Sequence, residues 1–347
     1  MLNQLCGLCP SGTAQHDING KEAKTEDGSI MVTGFMLAST VALGGGLDTN
    51  GTFVISAPSP IATTYAPNFA SAFERTGASS VSIKQNNTSE GFNWTSTGKA
   101  TVAFSNRPFS SAFDGSSSNV SFTLFAWDGL TPIVNSTNPV QNFSQEQLQN
   151  IFNGTTTSWS DFGGSNSNIT ICVLNSTSDG VEFLSHAFLF GNSAWTAPSS
   201  AVTFNTTEQL EQYVSTHPNA IGFSTYSSWR SNSNSGTSSY TSAAVDGVFP
   251  STGTIQDGTY SFSFPVFATT STSSEGSDAS AFTGWLTSTE GQSFVSTQHL
   301  VPLSQGARAF KQFAFFGNTN FISNYNELSQ QANNTVANVT ESFTAEQ

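Results

Sequence analysis

From residue 52 onward, short apolar runs of strand length alternate with amphipathic runs of helix length, and this alternation constrains the fold more than any other feature of the chain. "TFVISA" at 52–57 reads as a strand, closed by a turn at Pro58-Ser59-Pro60. Residues 61–76 follow with Ile61, Tyr65, Phe69 and Phe73 at four-residue spacing, the pattern of one helix face. "SVSIKQ" and "ATVAFSNRPF" read as two more strands, the second running out into a loop. "FTLFAWDGLTPIVN" is long and apolar enough to cross from one domain to another. A short helix is expected over 144–152, where Ser144 stands ahead of Glu146 and Gln147 as a capping signal. Then come a strand "NITICVL", a helix over 181–190, a helix over 208–216 and "AIGFSTY". The Ser-rich stretches 231–239 and 269–280 read as loops. Strands alternating with helices imply parallel sheets and an α/β protein.

Charge narrows the function. Only 9% of the residues are charged, the formal net charge is −14, and Arg230 is the only Lys or Arg between Arg107 and Arg308. No basic patch can be assembled from so few cations, which excludes nucleic acid as a partner. Thirty Phe and 36% hydrophobic content nevertheless supply a packed core. At 347 residues, two domains are expected. The four histidines show no metal-ligand spacing, and no nucleophile elbow or P-loop occurs, so neither enzyme chemistry, a cofactor nor a metal is expected.

Residues 30–46 form the longest apolar run. It is short for a membrane span, and Thr40-Val41-Ala42 offers a cleavage site, so 1–47 reads as a leader with an export or anchoring segment. Asn-x-Ser/Thr triplets are only mildly in excess for so polar a chain, which agrees with a secreted glycoprotein. Cys6 and Cys9 lie in the polar leader without ligand partners, and Cys172, within a strand, reads as a buried inert thiol.

Between the strand ending at Leu174 and the helix opening at Val181 stands Asn175-Ser176-Thr177-Ser178-Asp179-Gly180. A strand entering a helix through small polar residues presents free backbone N–H groups, a geometry that commonly binds an anion. Asp179 is odd there. It reads as a helix cap, with a ligand role as the alternative. Trp127-Asp128 reads as packing and a turn rather than a sugar platform, and Trp159 and Trp285 as packing.

Several of these pieces fall in a shared order: "FAWDGLTPIVNSTNPV", "FSQEQLQNIFNGTTTSWSDFGG", "PNAIGFSTY", "DGVFPSTGTIQDGTYSFSFPVF" and "AFTGWLTSTEGQSFVSTQHLVPL". From about Thr52 to Leu303 this resembles the phosphate-binding, PstS-type substrate-binding proteins. Ile151-Phe152-Asn153-Gly154 with Trp159, and Gly291-Gln292 ahead of Val301-Pro302-Leu303, are its most specific parts. The resemblance implies a two-lobe periplasmic-binding-protein type II fold, with mostly parallel mixed sheets flanked by helices and ligand enclosed by hinge closure. It divides the chain into lobe I, 48–135 plus 240–347 with the C-terminal tail, and lobe II, 136–239.

Carried over residue by residue, the resemblance implies phosphate or a related oxyanion held by Ser59, Thr88, Ser89, Asn106, Arg107, Thr177, Ser178 and Asp179. The chain departs from the family in four places. The first loop is proline-bounded, Asn87-Thr88-Ser89-Glu90-Gly91 replaces a Gly-Ser-Gly loop, and Asn106 stands where a carboxylate is common. Val173 or Leu174 occupies the place of the family's anion-gripping Arg, and Thr177-Ser178-Asp179 stands where Ser-Gly-Thr would follow it. A membrane transporter or sensor is the implied partner, and the binding protein itself is expected to be a monomer outside the cytoplasm. The alternative is a degenerate member serving as a surface or adhesive protein, or binding a small neutral polar molecule.

Overall fold

The computed structural model describes residues 53–303, apart from 79, 108, 110–113, 115–118, 176–179, 192–194, 235–238 and 273–277. The leader, Cys6, Cys9 and the tail beyond 303 lie outside the described residues.

β1 (Phe53–Ala57) passes through Pro58-Ser59-Pro60, where the Ser59–Pro60 bond is cis, into α1 (Ile61–Thr64) and α2 (Ala66–Glu74). The single helix expected over 61–76 is thus two. Pro67, which lacks an N–H, sits in the first turn of α2, where that loss costs no helical bond. β2 (Val81–Gln85) leads to α3 (Thr88–Ser96), whose N-cap Asn87 accepts the Glu90 amide at 2.8 Å. β3 (Val102–Ser105) and the long β4 (Val120–Asn135) follow. Asp128 therefore lies within a continuous strand, not in the turn expected for it.

β5 (Asn142–Phe143) precedes α4 (Gln145–Phe152), which opens with the expected capping box between Ser144 and Gln147. Beyond a short turn of 3-10 helix at Trp159–Phe162 come β6 (Thr170–Leu174), α5 (Gly180–Phe190) and β7 (Val202–Phe204). α6 (Thr207–Thr216), β8 (Ala220–Thr225), α7 (Tyr226–Asn234), β9 (Tyr240–Ser242) and β10 (Ala244–Val245) continue the chain. It closes with α8 (Thr252–Gln256), β11 (Ser263–Ser271), α9 (Asp278–Thr287), α10 (Thr289–Thr297) and β12 (Val301–Pro302).

Both Ser-rich stretches are shorter as loops than the composition suggests. α7 extends to Asn234, anchored by buried Tyr226 and Trp229, and Ser233 donates back to the Trp229 carbonyl at 2.7 Å. β11 extends to Ser271 because the hydrogen-bonded ladder with β4 continues to the pair Ser271–Val120.

Ten of the described strands form one mixed sheet in the order β2-β1-β3-β11-β4-β8-β6-β7, with β9 and β12 also on β4, while β5 and β10 pair in a separate two-stranded parallel sheet. β1 is parallel to β2 and β3, and β6 is parallel to β7 and β8, while every pairing of β4 is antiparallel. β4 thus joins two halves. Its stretch up to Gly129 pairs with β11, and Leu130 onward pairs with β8 and β9.

The first half is cored by aromatics. Phe53, Phe73 and Phe282 meet with ring centroids 4.9–5.6 Å apart, and Phe69 packs edge-on to Phe125, Trp285 and Phe294. Gly291 and Gln292 now have a physical reason. A Cβ at Gly291 would lie 2.0 Å from the Trp285 carbonyl oxygen, so only glycine lets α9 and α10 meet. The buried Gln292 amide donates to the carbonyls of Phe125 and Leu286 and accepts the Leu303 amide, tying α10 to β4 and β12. In the second half Trp159 is buried, with its indole N–H on the Asn219 carbonyl at 3.0 Å. Cys172 is buried too, and burial pushes its thiol up to about 12, which leaves it inert.

Candidate binding site

In each half the carboxyl ends of parallel strands carry the loops where an α/β sheet usually binds its ligand. In the first half, β1 leads into Ser59, β2 into Asn87-Thr88-Ser89 and β3 into Asn106-Arg107. In the second, β6 runs into the start of α5, and β7 into Thr206-Thr207-Glu208 at the start of α6. Asn175 and Asn205 hold these two loops together through their side-chain amides.

The loops of the two halves meet directly. The Thr207 amide donates to Ser59 Oγ at 3.2 Å, and that hydroxyl lies 3.1 and 2.8 Å from the two carboxylate oxygens of Glu208. Thr63 also donates to Glu208. Asn106 sits against the first residue of α5 so closely that a Cβ at Gly180 would lie 2.0 Å from its side-chain nitrogen. The Arg107 guanidinium lies over Phe92 of the first half at 5.4 Å and over Phe183 of the second at 4.9 Å.

Among the described residues along this seam, three buried side-chain oxygens have no hydrogen-bond partner: Thr88 Oγ1, Asn106 Oδ1 and Thr207 Oγ1. They come from the ends of β2, β3 and β7. Leaving such a group buried and unpaired costs about 1–3 kcal/mol. Opening to water, or an incoming polar ligand, removes that cost.

Arg107 is placed otherwise than a bare anion-gripping cation. It is fully buried and forms a two-pronged pair with Asp114, both N···O distances being 2.7 Å, and its Nη2 also donates to Ser89 at 3.1 Å. Ser89 in turn hydrogen-bonds Asp114. The cation is therefore neutralised in place, and it orients Ser89 rather than offering net positive charge. Asp114 escaped the sequence reading, since nothing in "SAFDGSS" separates it from other loop acids.

Of the residues read as ligands, Ser59, Thr88, Ser89, Asn106 and Arg107 fall on this seam, while Thr177, Ser178 and Asp179 lie outside the described residues. Thr207, Glu208 and Gly180 join them from the second half. The strand-to-helix transition before residue 208 was a signal that could have marked Thr207 and Glu208. At the place of the family Arg, Val173 and Leu174 are buried in β6, and the Leu174 amide donates to Glu182 at 2.9 Å. Glu182 also pairs with His186 at 2.9 Å.

Two further carboxyls are buried close to the junction. Asp128 accepts from the Gly129 amide and from the amide and hydroxyl of Ser227, yet burial raises its pKa to about 7. Glu211 accepts from Ser224, Ser228 and Asn232, and burial raises it likewise to about 7. Among the described residues no group of three His, Cys, Asp or Glu could hold a metal ion, and no helix is long and apolar enough to cross a membrane.

The resemblances bear on this geometry. A Clostridium perfringens protein assigned as a phosphate ABC transporter substrate-binding protein, solved with bound phosphate, superposes with a TM-score of 0.64 at 21% identity, covering 73% of this chain and 99% of that one. An ABC-type phosphate transport receptor from Vibrio cholerae superposes at 0.58 with 19% identity, over 72% of this chain and 99% of its own. Both likenesses are of fold. In sequence, 81 residues are 37% identical to phosphate-binding protein PstS 2 of Streptococcus agalactiae, covering 23% of this chain and 27% of that protein, so the chain spans about a quarter of that relative's length. Residues 46–290 of the 347 match the PBP superfamily domain, and the chain belongs to that family, with its α/β fold of the periplasmic-binding-protein type II.

Proposed function

We propose that this chain is a solute-binding protein that captures phosphate or a related oxyanion between two lobes, outside the cytoplasm, for delivery to a membrane transporter or sensor. The lobes are taken as 48–135 with 240–347, and 136–239. The observation that carries the reading is the row of buried, partnerless oxygens on Thr88, Asn106 and Thr207, set on facing strand ends of the two halves. Tetrahedral oxyanions suit such a place, since hydroxyls and the amides at helix starts can each take one oxygen. Ser59, Thr88, Ser89 and Asn106 would bind from one lobe. Thr207 and the 177–179 segment would bind from the other. The Clostridium protein's bound phosphate and the Streptococcus relative's name support phosphate as the first ligand to try. No bond chemistry is required; capture is followed by lobe closure.

One observation favours a second reading, a small neutral polar ligand. Arg107 is neutralised by Asp114, so the described seam offers no net positive charge. Calorimetric titration of the full chain with inorganic phosphate at pH 5 and pH 8 separates the two. Micromolar affinity, about 8 kcal/mol, is expected at one pH or both. A folded sample silent at both rejects phosphate and leaves the neutral ligand standing.

A further inference from the structure

The contacts of Glu208 cross from the second half to the first, and they engage the very hydroxyl that the oxyanion reading needs. Ser59 Oγ is within hydrogen-bond distance of both Glu208 carboxylate oxygens, and the Thr207 amide donates to the same hydroxyl. Thr63, one helical turn further on and at the mouth of the seam, donates to Glu208 as well. Two hydroxyls of the first half thus bind a carboxylate of the second half much as they would bind an oxyanion. We infer that Glu208 is a resident competitor: a built-in carboxylate that occupies the lobe I hydroxyls and latches the lobes together until ligand displaces it. The inference rests on Ser59 being among the ligands of the oxyanion.

The physical consequence follows from population arithmetic. If latched molecules cannot admit ligand, the measured affinity is the intrinsic one reduced by the unlatched fraction. Removing the latch must then strengthen ligand binding. A carboxylate that instead served the ligand, by accepting a proton from it, would give the opposite sign. The other charged groups to weigh are Glu211, on the same helix and coupled to Glu208 by charge, and, elsewhere on the seam, the Arg107–Asp114 pair, which is neutral as a unit. None of these reaches Ser59 in the structure as Glu208 does.

The test uses the full chain and two variants, Glu208→Ala and Thr63→Ala. The second removes one donor to the latch without touching a proposed ligand residue. The first readout needs no ligand: hydrogen exchange of the peptide containing Thr207, whose amide bonds across the seam to Ser59. Ligand-free wild type should protect this amide, and both variants should speed its exchange by about 10-fold or more. The second readout is titration with inorganic phosphate, where Glu208→Ala should bind about 10-fold tighter than wild type. Unchanged exchange in both variants overturns the latch, and so does weaker phosphate binding by Glu208→Ala. Faster exchange with phosphate silent in wild type and variants alike upholds the latch while rejecting phosphate, and with it the competition.

Discussion

Two junctions between the halves of the molecule are built in opposite ways. Where β4 passes from one half to the other, polar groups are paired. Asp128 takes three donors, Tyr260 donates to the Leu130 carbonyl at 2.7 Å, Thr131 bonds Ser242, and Asn135 reaches the carbonyls of Val214 and Ser215. Where the strand ends face each other, Thr88, Asn106 and Thr207 each bury an oxygen with no partner. Fully satisfied polar networks fix a junction, and unsatisfied ones are left for something that comes and goes. On the proposed reading, the first junction is the pivot of lobe closure and the second its mouth.

The largest effect should come from the ion pair behind the mouth. Asp114→Ala removes the carboxylate paired in two-pronged fashion with the buried Arg107 guanidinium, and a loss of about 3–5 kcal/mol is expected in denaturant unfolding. A loss below about 1 kcal/mol would mean that water reaches Arg107 and screens its charge.

A smaller effect should appear on changing pH at the pivot. The folded-state pKa of Asp128 is raised to about 7 from an ordinary 3.8. Between those values the folded protein holds a proton that the unfolded chain has released, so stability falls as pH rises through that window and levels off above it. Glu211, raised to about 7 from 4.5, acts in the same direction. Thermal unfolding of Asp128→Asn against wild type across pH 4–8 isolates the first contribution. The variant should lose less stability than wild type on going from acid to neutral pH. Parallel profiles would place Asp128 in contact with water.

The comparison sharpens most with matched hydroxyl deletions, one at each junction. Ser227→Ala removes a donor from the buried Asp128 carboxylate and should cost roughly 1–3 kcal/mol. Thr88→Val keeps the shape and removes a hydroxyl with no partner, so it should be neutral or stabilising by up to about 1 kcal/mol. Equal costs at both sites would erase the distinction between pivot and mouth.

Much of the architecture was legible because periodicity is local. The Phe69–Phe73 face, the Ser144 capping box and the unbroken apolar run of β4 each announce themselves within a dozen residues. The partnerships at the mouth were not legible, because they are long-range. Ser59 meets Glu208 across 149 positions, and Asn106 meets Gly180 only once both halves are folded. At Arg107 the sequence shows a cation beside a strand end but not the Asp114 that pairs with it. Pro67 and the tail of α7 moved helix boundaries for reasons that packing decides.

The most direct test of the central claim joins stability and binding in one variant. Thr88→Val should match or exceed wild type in ligand-free unfolding while its calorimetric affinity for phosphate drops by about 10-fold or more, the signature of a hydroxyl held for a ligand rather than for the fold. A variant that is less stable than wild type yet binds phosphate with unchanged affinity would show that Thr88 serves the fold, and would contradict the account.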